Sequence, residues 1–170
     1  LPNQAVIVLR TPTAWYELPF GLLAEALPSG ATGDARVVFT METIEGAELD
    51  RIAGDAAASG IELLSGVVEF RLEIVTNAER RAWNRFGNTY VTRTILLDGT
   101  VDPDRATALA YDPASGRFVF VPAVFARAED GRTIAVMKRN GNSLYVVGAH
   151  ELTFSDVAGH WAQEEIERLA

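Results

Sequence analysis

The second half of the chain is broken at short intervals by residue pairs that turn an extended backbone back on itself. Asp98-Gly99, Asp130-Gly131 and Asn140-Gly141 separate runs rich in β-branched and aromatic residues, and Asp112-Pro-Ala-Ser-Gly116 does the same with a longer turn. Glycine supplies the positive φ that tight hairpin turns require, and Asp or Asn tolerates it, so Asp130-Gly131 and Asn140-Gly141 are hairpin signals with a mechanism, while Asp98-Gly99 stops the strand before it. The runs at 90–97, 107–111, 117–122, 123–127, 133–138 and 143–147 are all strand-sized, with Pro122 interrupting the third and fourth. Short strands joined by such turns imply an antiparallel meander.

The first half carries the same pattern less regularly. Residues 5–9 and 15–19 are short β-type runs, with Thr11-Pro12-Thr13 between them as a turn. Residues 21–27 have helical composition, closed by Pro28-Ser-Gly30, and residues 36–44 are a strand rich in β-branched and aromatic side chains. Over 47–59, Leu49, Ile52, Ala53, Ala56 and Ala57 share one helical face, and Gly60 is placed to cap its end. Over 67–75, Val68, Phe70, Leu72 and Ile74 alternate with Glu69, Arg71 and Glu73, the mark of a strand with one buried and one wet face. Residues 76–88 form a polar connection. The expected class is α+β and mainly β: an antiparallel, sandwich-like domain with two short helices over 1–149. A joint at 150–153 leads into residues 154–170, the first helix of a truncated helical repeat.

That last stretch has its own logic. Asp156 is placed to cap a helix start, because its carboxylate accepts the N–H groups a first turn leaves unpaired. Ala162, Ile166 and Leu169 then form one apolar stripe, and Glu164 and Arg168 are an i,i+4 pair of favourable order. A lone amphipathic helix cannot bury its own stripe, so this is the front of something larger. With Leu1-Pro2 at one end and that unfinished helix at the other, the expectation is an excised piece of a longer polypeptide.

Composition narrows the function classes. The 170 residues are 48% hydrophobic, enough to bury a core without staples. With Lys+Arg 15 against Asp+Glu 23, the net charge of −8 argues against nucleic-acid binding, which depends on cations meeting phosphates. The absence of cysteine removes disulfides, thiolate nucleophiles and Cys-based metal sites. No apolar run approaches the length of a membrane span.

The histidines His150 and His160 flank the joint without a metalloprotease motif, so no metal site is expected. No Gly-x-Ser-x-Gly elbow and no Gly-rich phosphate loop occurs, and no catalytic residue is assigned. Calcium is the ion with the most oxygen to meet it, at Val101-Asp102-Pro103-Asp104 and Ala128-Glu129-Asp130-Gly131. Neither stretch has the spaced acids of an EF-hand loop, so solvated turns and no cofactor are expected. Trp15 and Tyr16 could stack on a sugar, as could Trp83 within Arg80-Arg81-Ala82-Trp83-Asn84-Arg85; aromatics in strands more often serve the core.

Two resemblances give these observations a context. Phe154-x-Asp156-Val157-x-Gly159-His160-Trp161-Ala162, followed by Ile166 and Leu169, resembles the opening of an S-layer homology domain. Members of that family are small helical repeats that hold secreted bacterial proteins to the cell wall through a secondary wall polysaccharide, often pyruvylated. The later helix and its Thr-Arg-Ala-Glu-like segment, which supplies a cationic ligand contact in the family, do not occur here. The segments Tyr90-Val-Thr-Arg-Thr-Ile95, Tyr111-Asp-Pro-x-x-Gly116, Val121-Pro122 and Arg139-Asn-Gly-Asn-Ser-x-Tyr145 resemble the β-rich domain that often precedes such repeats in large surface proteins. The resemblance implies a non-catalytic spacer module of a secreted protein of the cell wall or S-layer. Phe154, Asp156, Gly159, His160 and Trp161 then belong to an incomplete anchoring repeat, and the partners are wall polysaccharide, through the complete repeats, and neighbouring domains of the same protein. The alternative is a carbohydrate-binding module of a secreted glycan-active enzyme, with Trp15, Tyr16 and Trp83 as its contacts.

Overall fold

The computed structural model describes residues 5–26 and 35–150. Within them the chain forms β1 (Val6–Arg10), β2 (Ala14–Pro19), α1 (Phe20–Ala26), β3 (Arg36–Thr43), α2 (Gly46–Ala58), β4 (Ile61–Leu63), β5 (Val68–Val75), β6 (Arg80–Ala82), β7 (Val91–Leu96), β8 (Ala106–Asp112), β9 (Arg117–Val121), β10 (Ala123–Arg127), β11 (Thr133–Arg139) and β12 (Leu144–His150). The fold is therefore mainly β with two helices, as expected. The strands make two antiparallel sheets. The first has the order β1-β2-β7-β11-β10; the second has β3-β5-β12-β8-β9, with β4 also on β12 and β6 also on β5.

Strand alternation decides which residues enter the core. From the first sheet come Tyr16, Leu18, Val91, Ile95, Ala135 and Met137; from the second come Val68, Phe70, Leu72, Ala108, Ala110, Tyr145 and Val147. All belong to one continuous buried cluster, so the two sheets share a core. Burying each of the larger side chains stabilises the fold by about 1.5–3 kcal/mol. The opposite side chains of β8 and β12, Leu109, Tyr111, Leu144 and Val146, form a second cluster with Ile44, Val67 and Ile52 of α2. Ile52 and Ala56 are buried and Leu49 is half-buried, while Ala53 and Ala57 stay exposed, so the apolar face of α2 is narrower than its sequence suggested. The helix ends where Ser59 N–H reaches the carbonyls of Asp55 and Ala56, and Gly60 at φ 69° turns the chain into β4.

The meander does not form. The hairpins around Gly116 and Gly131 do, as β8–β9 and β10–β11, with φ of 67° and 85° at those glycines. The other connections pass between sheets. Pro122 has no N–H to extend the ladder, and there the chain leaves β9 in the second sheet for β10 in the first. Asn140-Gly141 closes no hairpin, because β11 and β12 lie in different sheets. Gly141 does not take positive φ. Its neighbours are tied elsewhere: Phe86 N–H donates to Asn140 O at 2.8 Å, and Asn142 N–H to Asn84 O at 2.8 Å. Two three-residue strands, β4 and β6, escaped the sequence reading, and β6 lies in the stretch expected to be a plain connection. Strand β12 runs to His150, into the first residue of the expected joint.

Candidate functional site

Val91, Arg93 and Ile95 occupy alternate positions of β7 and face the shared core. Arg93 is thus carried inside with 0% of its surface exposed. Its guanidinium lies 4.9 Å from the ring centroid of Tyr145, 5.2 Å from that of Tyr16 and 5.6 Å from that of Phe70. These rings pack edge-on to one another, Tyr16 to Phe70 at 5.1 Å and Phe70 to Tyr145 at 5.8 Å. Such a cage offers π faces to a cation stripped of water. The remaining partners are neutral oxygens. Nη2 donates to Gly141 O at 2.7 Å and to Asn142 Oδ1 at 2.5 Å. Nη1 makes longer contacts with Arg139 O at 3.3 Å and Val91 O at 3.4 Å. Nε has no partner, and no carboxylate neutralises the charge among the described residues.

The network continues outward. Tyr16 donates its hydroxyl to Asn142 Oδ1 at 2.6 Å, Tyr145 donates to Gly141 O at 2.7 Å, and Asn142 Nδ2 lies 3.4 Å from Asn84 Oδ1. Asn84 Oδ1 also accepts the Leu72 N–H at 3.2 Å. Burial lowers the pKa of Arg93 and raises those of Tyr16 and Tyr145; the guanidinium beside each hydroxyl opposes the rise without cancelling it. The loop at 139–143 is therefore held to both sheets from within.

This network backs an open cleft of about 640 Å³, lined by Asn84, Arg85, Asp112, Arg139, Asn140, Asn142, Ser143 and Tyr145 among others. A second cleft, of about 760 Å³, gathers Glu42, Glu45, Glu48 and Glu69 with Arg71. Glu42 and Glu69 are direct cross-strand partners on β3 and β5, and Arg71 approaches Glu69 to 3.5 Å. Elsewhere Tyr111 donates to Asp55 Oδ2 at 2.5 Å and accepts from Arg51 Nη1 at 2.6 Å, which fastens α2 to the second sheet. Burial, followed by the hydrogen bond to Asp55, raises the Tyr111 pKa.

The sugar-contact candidates are not brought together. Trp15 and Tyr16 are adjacent on β2 and so point to opposite faces. Trp15 is half-buried, with the Arg10 guanidinium 4.6 Å over its ring; Tyr16 is fully enclosed in the core, with no ring face open for stacking. Trp83 is half-buried against the core, edge-on to Phe86 at 5.4 Å. Phe154, Asp156, Gly159, His160 and Trp161 lie outside the described residues. At the calcium candidates, Asp102 Oδ1 accepts the Asp104 N–H at 3.0 Å, and the Asp130 carboxylate is held by Arg132 Nε at 2.8 Å and Nη2 at 2.7 Å. Among the described residues no three His, Asp or Glu side chains are grouped to hold a metal ion. No helix among them is long and apolar enough to cross a membrane.

The sequence reading missed Arg93 as the centre of the domain. Its signal was present: a charged residue on the apolar face of an alternating strand. The segments 90–95 and 139–145, noted separately for their resemblance, meet here. Compared with known proteins, the chain matches no family model, no curated protein and no solved structure.

Proposed function

We propose that residues 1–149 are a non-catalytic structural module of a secreted bacterial surface protein. In this reading the paired sheets are a sandwich-like spacer, and residues 154–170 open the first S-layer homology repeat. Once complete, the repeats anchor the protein to secondary cell-wall polysaccharide. The observation that carries the proposal is the terminal motif, Phe154, Asp156, Gly159, His160 and Trp161 at family spacing. The domain before it supports the same role. Its most distinctive polar group, Arg93, is spent on internal bonds that tie a loop to two sheets, an arrangement that stiffens a spacer and leaves the guanidinium no substrate to meet. The alternative, a carbohydrate-binding module, retains half-buried Trp15 and Trp83 and needs a contact other than the enclosed Tyr16.

The test is fractionation of cells producing the full-length polypeptide. The protein is expected in the wall fraction, and the double substitution D156A/W161A is expected to shift it to the medium while residues 5–150 stay folded. Equal retention of both forms in the wall would overturn the anchoring role.

A further inference from the structure

We infer that the cleft beside the Arg93 network binds an anionic saccharide, a hydroxylated sugar carrying a carboxylate or a phosphate. The inference goes beyond the structural role proposed above and stands whether or not the repeats anchor the chain. Its first ground is charge. The whole chain is acidic at −8, yet among the described residues this cleft is lined by Arg85 and Arg139 against one acid, Asp112. The Asp112 carboxylate is already engaged, accepting the Ser115 hydroxyl at 2.6 Å and the Ala114 N–H at 3.0 Å, and these bonds lower its pKa. Neither Arg85 nor Arg139 forms an ion pair with an acid among the described residues.

Among the described residues Arg93 is buried without a counter-ion, and its Nη2 donates to Gly141 O and Asn142 Oδ1, both of which belong to residues in the cleft wall. Burying an unpaired cation is unfavourable, and through a low-dielectric wall its field is weakly screened. An anion in the cleft would face that charge across one layer of amide groups. The third ground is size and lining. About 640 Å³ exceeds what a bare ion fills and falls in the range of small-ligand clefts. Asn84 Nδ2 and Asn140 Oδ1 make no hydrogen bond among the described residues, and the Ser143 hydroxyl, which donates to Tyr111 O at 3.0 Å, can still accept; these are groups of the kind that meet sugar hydroxyls, while a planar guanidinium suits a bidentate oxyanion.

The experiment is a titration of the 170-residue chain, followed by backbone amide chemical shifts, with glucuronate, glucose 6-phosphate, glucose and inorganic phosphate as separate probes. Saturable shifts at residues 84–87 and 139–143 are expected with at least one acidic sugar, at an affinity tenfold or more above that for glucose and above that for inorganic phosphate. Which acidic sugar binds more tightly identifies the acidic group. R85Q is expected to weaken that binding about tenfold, and R85Q/R139Q to abolish it. R85Q alters an exposed side chain, and an unchanged thermal midpoint shows that binding is lost without loss of folding. No saturable shift with either acidic sugar, equal affinity for glucose, or an unaltered affinity in R85Q would each overturn the inference; affinity for inorganic phosphate matching glucose 6-phosphate would overturn its saccharide part.

Discussion

Truncating Arg93 to alanine is the sharpest perturbation the structure offers. Two short bonds carry most of the hydrogen-bond energy, those from Nη2 to Gly141 O at 2.7 Å and Asn142 Oδ1 at 2.5 Å. Bonds from a charged donor are worth about 1.5–3 kcal/mol each, so the pair contributes about 3–6 kcal/mol gross. A desolvated cation over aromatic rings adds about 2 kcal/mol. Against this stands the burial of an unpaired guanidinium, which takes back several kcal/mol. Neither acceptor is left bare in the variant, since Tyr145 still donates to Gly141 O and Tyr16 to Asn142 Oδ1. The void left behind adds its own loss, at about 24 cal/mol per Å³. The balance is a destabilisation of about 3 kcal/mol, or a fall in Tm of about 6–12 °C for a domain of this size. Urea unfolding followed by tryptophan fluorescence measures it. Because Tyr145 shares the acceptor Gly141 O, R93A and Y145F should be non-additive by at least about 0.5 kcal/mol. An R93A protein within 0.5 kcal/mol of wild type would refute the claim that this arginine clasps the sheets together.

Other perturbations probe different parts of the fold. Gly148 on β12 sits where an added Cβ would lie 2.8 Å from Ile61 Cγ2 and 3.0 Å from the backbone oxygen of Glu62, so G148A should lose about 1–3 kcal/mol in the same unfolding assay. Burial raises the tyrosine pKa values of Tyr16, Tyr111 and Tyr145 above their unfolded value, so the folded state holds those protons more tightly. Their contribution is complete below about pH 10 and is lost as pH rises through the folded values; Arg93, with its pKa lowered, acts in the opposite sense. Thermal melts should therefore show falling stability above about pH 10, and an unchanged Tm through that window would contradict the burial of these hydroxyls. Glu42 faces Glu69 across β3 and β5, so E42Q should relieve a like-charge contact and raise the Tm slightly. If the module is non-catalytic, that is its only effect; release of reducing ends from a polysaccharide by wild type, absent in E42Q, would contradict the non-catalytic assignment.

Local patterns carried much of the fold into view. The alternation over 67–75 placed Val68, Phe70, Leu72 and Ile74 inside, and Gly116 and Gly131 marked hairpins, because period and turn chemistry are local properties. Pairing across sheets is not local. Asn140-Gly141 has the composition of a hairpin turn, yet the chain there crosses between sheets. The competing interactions come from Phe86, Asn84 and Arg93, which are distant in sequence. The three-residue strands β4 and β6 were illegible for a related reason: each is defined by its partner strand more than by its own residues. At the candidate site, Trp15, Tyr16 and Trp83 were picked out by residue type, which does not report burial. Adjacent positions on a strand already imply that Trp15 and Tyr16 cannot share a platform. Arg93 was hidden by the opposite habit, since a charge within a strand is ordinarily assigned to the wet face. Only the coincidence of its inward register with Val91 and Ile95 could have exposed it.

The central claim, a spacer that the following repeats fasten to the wall, is tested most directly by sedimentation with purified cell wall that carries its polysaccharide. Two chains are compared: residues 1–170, and the polypeptide continued past Ala170 through complete repeats. The continued chain should sediment with the wall and lose that binding once the polysaccharide is stripped, while residues 1–170 should stay largely in solution. Failure of the continued chain to sediment, or tight polymer binding by residues 1–170 alone, would contradict the account.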